Sequence, residues 1–497
     1  MLFNSYIFIF LFLPLCISVY FLLCKRGWDR PARVWLVGMS LWFYGYINPF
    51  YLLLLGVSIL GNFGISRLLL HLRRIERKRT AKIIMAAGVA ANTGLLLYYK
   101  YSDFFLANLN TLFHTDFAMR QIVLPLGISF FTFQQISFVV DSYRGEAEAY
   151  KLLDYAAFVS FFPQISSGPI SFHSEVIPQF LNRENHKPSS QNLAKGLYLF
   201  AGGLFKKIIV ADTLGKLVAL GFGGVEILSS VDVLLVIVSY ALQLYYDFSG
   251  YSDMAIGIAL MFNIELPVNF RSPYKARSIL EFWDRWHITL TRFLRKYIYF
   301  PLGGSRKGRV RTYVNIMIVF LVSGLWHGAN WTFIVWGILH GAAEVLTRRF
   351  RNLWGKLPAV LQWLVTFGFV SCAFLIFRAD SLSQAYIMFR KVAKLESFSI
   401  TPTLLDAFTL PEIAHLEKLL HIDVLLNRFG LNMWGFLLLV LFATLRAENF
   451  EEKPFVCNKK TLFATIGMLT WAIVSFSGIS TFLYFNFYTY KKFFAPC

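Results

Sequence analysis

Residues 312 to 347 read TYVNIMIVFLVSGLWHGANWTFIVWGILHGAAEVLT, a mostly apolar stretch with a histidine near its middle. A helix rises about 1.5 Å per residue and a bilayer core is about 30 Å thick, so this stretch is long enough to enter the membrane and return. Basic clusters flank it at residues 306–311 and 348–351. Because Lys and Arg concentrate on the cytoplasmic side, both ends are expected there. The turn between the two passes is expected at Gly324, Gly328 and Asn330.

The same apolar character extends over the whole chain of 497 residues. It is 57% hydrophobic and 15% charged, whereas soluble domains are about 45–50% apolar and about 25% charged. Residues 2–23, 358–377 and 462–485 could each form a further span. The first of these has no basic residue before it and is followed by Lys25 and Arg26, which favours a retained span over a cleaved signal peptide. The sequence therefore predicts an all-α integral membrane protein.

The chain carries 48 Lys plus Arg against 28 Asp plus Glu, a formal net charge of +20. Such an excess is also typical of nucleic-acid-binding proteins. Here, however, the basic residues gather in short clusters between apolar runs, which is the positive-inside pattern of membrane proteins. Clusters of this kind contact anionic lipid headgroups. The pattern predicts the lipid bilayer as a partner and argues against nucleic acid.

The basic clusters also predict the topology. If residues 25–33 are cytoplasmic, the first span runs inward and the N-terminus is extracytoplasmic. Residues 34–70 then supply two spans, interrupted at Asn48 and Pro49, which return the chain to the cytoplasmic side. Counting the remaining apolar segments in the same way predicts about 11 spans, with a range of roughly 9 to 13. We expect one domain over residues 1–497, because no soluble catalytic domain or internal repeat is recognisable.

The segment FFPQISSGP, residues 161–169, places two prolines, a glycine and three polar residues in an apolar context. Non-helical backbone at membrane depth is tolerated only where protein or a water-filled cavity satisfies its hydrogen bonds. The segment is therefore either a re-entrant loop beside an internal cavity or a loop at the membrane surface. Residues 379–432 form the longest polar interruption and predict a surface helix or a partner-docking loop.

Nine histidines are present. Six lie in polar or interfacial sequence and are expected in loops or at the surface: His71, His114, His173, His186, His415 and His421. His327 lies within the apolar stretch 312–347, where ionisable residues are costly and usually functional. On a helical turn, Ser323, His327 and Asn330 would share one face. A neutral imidazole there can take a proton from an attacking hydroxyl, as acyl transfer to an alcohol requires. A buried histidine that only packs is the alternative.

His287 lies in EFWDRWHITLT, residues 281–291. On one helix Asp284, His287 and Thr291 would share a face, so Asp284 could orient the imidazole ring. The tryptophans of this segment favour an amphipathic helix at the cytoplasmic interface, with or without access of His287 to a cavity. His340 follows His327 by 13 residues and would point to another face, which favours packing.

Asp247 and Asp253 are carboxylates in the apolar segment QLYYDFSGYSD, residues 243–253. They are expected to line a polar cavity, to pair with basic residues, or to form structural hydrogen bonds at a helix break. No metal site is predicted, because the sequence has no HExxH or CxxC motif and no two histidines at ligand spacing. The five cysteines are too scattered for a disulfide framework. No P-loop is present, so ATP hydrolysis is not predicted.

A series of motifs runs in order from about residue 120 to 345. They are LPLGISFFTFQ (124–134), FPQ (162–164), YDFSGYSD (246–253), NFRSPY (269–274), FW and WH (282–287), and WHG (326–328). In these motifs the chain resembles the membrane-bound O-acyltransferase family, and within it the bacterial polysaccharide O-acetyltransferases such as the membrane subunit of alginate acetylation. It is more distantly similar to the membrane subunit that exports D-alanine for teichoic acids. It departs from the pattern at residues 171–173 and at Asn263, where a glycine is common.

The resemblance implies a ring of helices around a narrow tunnel in the bacterial cytoplasmic (inner) membrane. It also implies that His327 matches the near-invariant histidine of the family and His287 its second conserved polar position. The donor would be acetyl-CoA or another acyl thioester that enters from the cytoplasm. The acceptor, a polysaccharide or cell-wall glycan, would approach from the opposite face. An extracytoplasmic acetyltransferase partner that resembles an SGNH hydrolase would complete the transfer.

The expected function is transfer of an acetyl group from a cytoplasmic thioester toward hydroxyls of an extracytoplasmic polysaccharide. His327 is the expected general base, and His287 is expected to assist in positioning or proton transfer. The residues expected to line the substrate path are Ser323, Trp326, Asn330 and Asp247. Two other functions fit the composition: a transporter or flippase of an acyl or lipid-linked substrate, and a non-catalytic scaffold for an extracytoplasmic transferase.

Overall fold

The computed structural model describes residues 1–395, 397–408 and 430–476, together with residues 414, 418–420, 482 and 483. Most of these residues are helical and none lies in a β-strand, which confirms the predicted all-α class. The expectations for His415, His421 and the end of the 462–485 segment lie outside the described residues. In chain order the helices are α1 (Phe8–Lys25), α2 (Asp29–Gly45), α3 (Phe50–Arg74), α4 (Lys78–Phe113), α5 (Ile128–Arg144), α6 (Leu152–Ser160), α7 (Phe162–Ile165), α8 (His173–Leu181), α9 (Ser190–Phe205), α10 (Asp212–Gly223), α11 (Ser230–Met261), α12 (Ile279–Arg285), α13 (Ile288–Leu294), α14 (Arg309–His327), α15 (Trp331–Arg349), α16 (Arg351–Trp354), α17 (Ala359–Arg378), α18 (Leu382–Lys394), α19 (Pro402–Asp406), α20 (Leu431–Arg446) and α21 (Lys459–Val474).

Six of the described helices are long and apolar enough to cross a membrane, namely α1, α3, α4, α11, α14 and α17. The chain is therefore a multi-pass membrane protein. The predicted total of about 11 spans requires shorter helices to cross as well, such as α2 and α5 with 17 residues each. That total remains a prediction.

Helix α11 is the centre of the fold, because almost all of its residues are buried. It packs against α9 through two pairs of glycines that bring the backbones into contact. A Cβ atom on Gly196 would lie 2.6 Å from the Gly257 carbonyl oxygen, and one on Gly250 would lie 2.7 Å from the Gly203 oxygen. Small residues permit this close approach, which supplies the van der Waals contact that holds helices together in lipid.

Helices α14 and α15 form the hairpin predicted from residues 312–347. Helix α14 ends at His327, the backbone is extended at Gly328 (φ −168°), and α15 begins at Trp331. The turn is therefore confirmed at Gly328 and Asn330, whereas Gly324 lies inside α14. The prediction that Asn330 shares a helix face with Ser323 and His327 is wrong, because Asn330 lies beyond the end of α14. Its side chain instead accepts a hydrogen bond from the Thr332 amide and so caps the start of α15.

The hairpin is held together by a second close glycine contact. A Cβ atom on Gly337 would lie 2.5 Å from the Phe320 carbonyl oxygen, and one on Gly324 would collide with the Phe333 carbonyl. The two helices thus touch backbone to backbone one turn before His327. This contact fixes the position of the carboxyl end of α14 relative to α15.

Residues 161–169 are buried throughout, which favours the internal loop over a loop exposed at the surface. The chain breaks at Phe161, forms the single turn α7, and then runs in non-helical conformation. Ser171 Oγ donates to Gln164 Oε1 at 2.5 Å, so these two polar side chains are paired within the protein. Gly127, at the start of α5, has φ +70°, and any side chain there would collide with the Ile165 carbonyl.

Two histidines predicted at the surface or in loops are buried. His173 is fully buried, with Nε2 3.3 Å from Asp141 Oδ2, and His186 is buried with Nδ1 3.0 Å from Asp29 Oδ1. The polar sequence around them did not predict this burial, because it accompanies contacts with Asp141 and Asp29, which are distant in the chain. His71 and His114 are exposed, as predicted.

The structure explains why Asn263, one of the two departures from the family pattern, can replace a glycine. Its backbone has φ +61°, a left-handed conformation that glycine adopts freely and asparagine tolerates better than most residues. The side-chain amide also donates to the carbonyl oxygens of Asn185 and Lys187 at 2.9 and 2.7 Å. An asparagine can therefore occupy a position where a glycine is common.

Candidate active site

His327 is the last residue of α14 and is buried, with 6% of its surface exposed. Three aromatic rings surround its imidazole. The ring centroids of Trp326, Trp336 and Phe377 lie 4.9, 5.1 and 5.2 Å from that of His327. Since α14 ends here, the imidazole lies beside the turn of the hairpin.

His287 lies between α12 and α13, in a left-handed backbone conformation with φ +45° and ψ +51°. This conformation is uncommon for a residue with a side chain and is often found where a function requires it. The prediction that Asp284 orients the His287 ring is wrong. Helix α12 ends at Arg285, so the two residues do not share a helix face. Asp284 is mostly exposed and lies 3.6 Å from Arg295 instead.

Asn269 orients His287 in place of Asp284. Its Oδ1 atom lies 3.1 Å from His287 Nδ1 and also accepts from the Thr289 amide at 3.3 Å and the Thr289 hydroxyl at 2.9 Å. A backbone N–H can only donate, so the Asn269 atom that faces it must be the oxygen, which can only accept. His287 Nδ1 therefore carries the hydrogen, and Nε2 of the neutral ring presents a lone pair.

The two histidines line the same small cavity. His287 Nε2 is buried and has no hydrogen-bond partner among the residues that the structure describes. The cavity has a volume of about 20 Å³, which is enough for roughly one water molecule. Its walls are formed by Leu244, Phe248, Trp286, His287, His327, Trp336, Phe374 and Phe377. The structure thus brings the two predicted catalytic histidines to one space, and their catalytic roles remain predictions.

The other residues predicted on the substrate path are not among those that line this cavity. Ser323 is buried one turn before His327, and Trp326 Nε1 donates to the Ser129 carbonyl at 3.3 Å. Asn330 Nδ2 donates to the Asp380 carbonyl at 3.0 Å. Their place on a substrate path stays a prediction.

Asp247 and Asp253 pair with basic residues, one of the roles that the sequence left open. Asp247 Oδ1 lies 2.6 Å from Lys207 Nζ, and Asp253 Oδ2 lies 2.5 Å from Lys206 Nζ. The two lysines belong to the π-helical segment Lys206–Ala211 between α9 and α10. All four side chains are buried, so the ion pairs fasten this segment to α11.

Lys100 and Tyr101 of α4 contact the carboxyl end of α14, and the sequence did not predict this contact. Lys100 Nζ donates to the Trp326 carbonyl. The Tyr101 hydroxyl donates to the Leu325 carbonyl and lies 3.2 Å from that of Gly328. These carbonyls at the end of α14 have no partner within the helix, so the two side chains cap it beside His327. A lysine within a long apolar segment is the signal that could have revealed this contact.

The described residues contain no group of three or more His, Cys, Asp or Glu side chains arranged to hold a metal ion. The reactive groups at the cavity are imidazole and indole rings. They can accept, donate and hold protons, which suits acyl transfer between a thioester and a hydroxyl. The absence of a metal from the reaction remains a prediction.

Comparison with known proteins decides the family. The family model of the membrane-bound O-acyltransferases matches residues 82–381, more than half of the chain. The chain belongs to that family. This acyltransferase is 38% identical to the peptidoglycan O-acetyltransferase of Helicobacter pylori, over 98% of each chain. It is 36% identical to a probable alginate O-acetylase of Pseudomonas aeruginosa, over 81% of this chain and 76% of that protein.

A more distant similarity extends to the teichoic acid D-alanyltransferase of Streptococcus thermophilus, which is 27% identical over 51% of this chain and 68% of that protein. The matched region of the family model contains His287, His327 and all the motifs that carried the resemblance. The predicted family and the predicted O-acyltransferase class are confirmed.

Replacing Asn269 with leucine should lower kcat by about 100-fold, because a reacting group displaced by about 1 Å can cost that much. The change removes the acceptor of the His287 Nδ1 hydrogen, so the ring loses its fixed orientation. Asn92→Leu is the matched control, since Asn92 is also buried but pairs with Asn62 away from the histidines. Steady-state rates of purified variants check this, and an Asn269→Leu protein as active as Asn92→Leu would contradict the role of Asn269.

Proposed function

We propose that this chain transfers an acetyl group from a cytoplasmic thioester, acetyl-CoA, toward hydroxyl groups of an extracytoplasmic glycan. The observation that carries the proposal is the cavity shared by His327 and His287 in a chain of this acyltransferase family. A transporter or a scaffold has no need of two imidazoles that face one enclosed space. The relatives with confirmed similarity over most of the chain are named as O-acetylating enzymes.

In the proposed reaction His327 is the general base. Its imidazole takes the proton of the acceptor hydroxyl while the hydroxyl oxygen attacks the thioester carbonyl carbon. Collapse of the tetrahedral intermediate breaks the carbon–sulfur bond, forms the ester and releases the thiolate, which receives the proton from His327. His287, with its Nε2 lone pair on the same cavity, holds the acceptor or the passing proton in position.

The cavity of about 20 Å³ is too small for both reactants, so catalysis requires its walls to move apart. We infer a tunnel that opens from the cytoplasm for the donor and from the opposite face for the acceptor. In this arrangement a single domain of about 11 spans lies in the bacterial inner membrane. Its N-terminus is extracytoplasmic, in keeping with the basic clusters.

We propose peptidoglycan as the final acceptor. The similarity to the peptidoglycan O-acetyltransferase covers 98% of both chains, whereas the alginate O-acetylase similarity covers 81% of this one. An extracytoplasmic partner of the SGNH-hydrolase type would take the acetyl group from this chain and pass it to the glycan. The hydroxyl at the cavity is then a relay hydroxyl and not one on the glycan itself.

Purified protein in proteoliposomes tests the proposal when acetyl-labelled acetyl-CoA is supplied with peptidoglycan fragments or with the partner. We expect the release of free thiol together with label in an alkali-labile ester. A transporter would move label without releasing thiol. Cells that lack the gene should lose O-acetylated wall glycan and regain it on complementation. Thiol release without ester formation, or unchanged wall acetylation, would refute the proposal.

A further inference from the structure

The indole nitrogen of Trp336 is a buried donor with an unmet hydrogen bond. Trp336 lies on α15, is 1% exposed and forms part of the cavity wall beside His327. Its Nε1 has no hydrogen-bond partner among the residues that the structure describes. Nearly all buried polar groups in proteins are paired, so an unmet indole N–H on a side chain that lines a cavity needs an explanation.

The two nearest imidazoles do not supply the missing acceptor. The His340 ring lies 4.8 Å from that of Trp336, and His340 Nδ1 accepts a hydrogen bond from Trp283 Nε1 at 3.3 Å. An indole nitrogen can only donate, so in the neutral His340 ring the hydrogen is on Nε2. The Trp336 N–H and the His340 Nε2–H are both donors, so they cannot form a hydrogen bond with each other. The plane of the His327 ring is at 86° to that of the Trp336 indole, and His327 receives no hydrogen bond from this indole.

We propose that the Trp336 N–H stabilises the oxyanion that forms on the acetyl carbonyl oxygen during transfer, which makes Trp336 a catalytic residue. This inference rests on the proposed acetyl transfer. When the hydroxyl oxygen bonds to the carbonyl carbon, the carbonyl π electrons move to its oxygen, which becomes negative. Collapse returns that charge to the carbon–oxygen double bond and expels the thiolate. A donor that is unpaired before the reaction meets its acceptor only as the charge develops.

The surroundings of Trp336 suit this role. The cavity is otherwise bordered by apolar side chains such as Leu244, Phe248 and Phe374, and a single donor is more effective in such an apolar site than in water. Base and donor also lie on the two arms of one hairpin whose backbones touch at Gly337. Their relative position is therefore set before the substrates arrive, as electrostatic stabilisation of a transition state requires.

Two variants test the proposal on purified protein with acetyl-CoA as the donor. Trp336→Phe removes the N–H, and replacement of Trp336 by 3-benzothienylalanine exchanges the N–H for sulfur while keeping the ring size. We expect both to lower kcat by about 100-fold and to leave KM for the donor unchanged, because the interaction exists only in the transition state. The matched control is Trp283→Phe, one ring away at 5.8 Å and off the cavity, which should change kcat only a few-fold.

The outcomes separate the possibilities. Loss of kcat in both Trp336 variants, with thermal stability close to that of the unmodified protein, supports the proposal. A benzothienylalanine variant with unchanged kcat, or an equal loss in Trp283→Phe, would show that packing alone matters and would overturn it. If the unmodified protein released no thiol from acetyl-CoA, the proposed function itself would fall.

Discussion

Replacing His327 with alanine should lower the rate of thiol release from acetyl-CoA by about 100-fold to 10,000-fold, the range that a general base contributes. The imidazole is buried at the end of α14 and lines the cavity with His287. Its removal leaves the attacking hydroxyl with no base at this position. In cells, the same variant should insert in the membrane at normal levels and fail to acetylate the wall glycan.

Two further variants separate catalysis from packing at this position. His327→Gln fills more of the space than alanine and cannot accept a proton at neutral pH, so it should be as inactive as the alanine variant. His340→Gln is the control, because His340 is also buried on the hairpin but does not line the cavity. Its activity should stay within a few-fold of that of the unmodified protein. Acetylation retained by His327→Gln would remove His327 from the mechanism.

Replacing Asp247 with alanine should destabilise the protein by about 3–5 kcal/mol, because it leaves a buried lysine without its closest counter-charge. Lys207 Nζ lies 2.6 Å from Asp247 and 2.8 Å from the more exposed Asp212. Asp247 Oδ2 also accepts from the Leu483 amide at 2.9 Å. We expect a lower thermal midpoint in detergent and lower abundance in the membrane.

The double variant Lys207→Met with Asp247→Leu distinguishes an ion pair from a substrate contact. Removing both charges leaves no buried ion uncompensated, so a large part of the lost stability should return. Activity should return with it if Asp247 serves only the fold. A stable but inactive double variant would instead place Asp247 on the substrate path, as the sequence predicted.

The sequence predicted the membrane class, the hairpin turn and the place of His327 near that turn because each depends on local composition. An imidazole among apolar residues is costly to bury, whatever fold the chain adopts. A long apolar stretch interrupted by glycines is expected to turn at that interruption. His327 and the end of α14 could therefore be inferred from residues 312–347 alone. The cost of burying Asp247 likewise predicted a polar cavity, a basic partner or structural hydrogen bonds, and the structure shows the basic partner Lys207.

The identity of the partners could not be read in the same way, because it depends on which distant segments meet. Asn269 is 18 residues from His287, and Lys207 is 40 residues from Asp247. The expectation that Asp284 orients His287 assumed a continuous helix, which the left-handed backbone of His287 interrupts. At this site, contacts between distant segments determine which side chains meet, and the spacing of residues along a helix does not.

The glycine contact between α14 and α15 limits how far the wall of the cavity that they form can open. With backbones in touch at Gly324 and Gly337, the two arms of the hairpin have no space in which to slide, so His327 and Trp336 travel as one unit. The rings of Phe374 and Phe377 belong to α17, which is outside that unit. We therefore expect the substrates to enter when α17 moves away from the α14–α15 hairpin, which itself stays rigid.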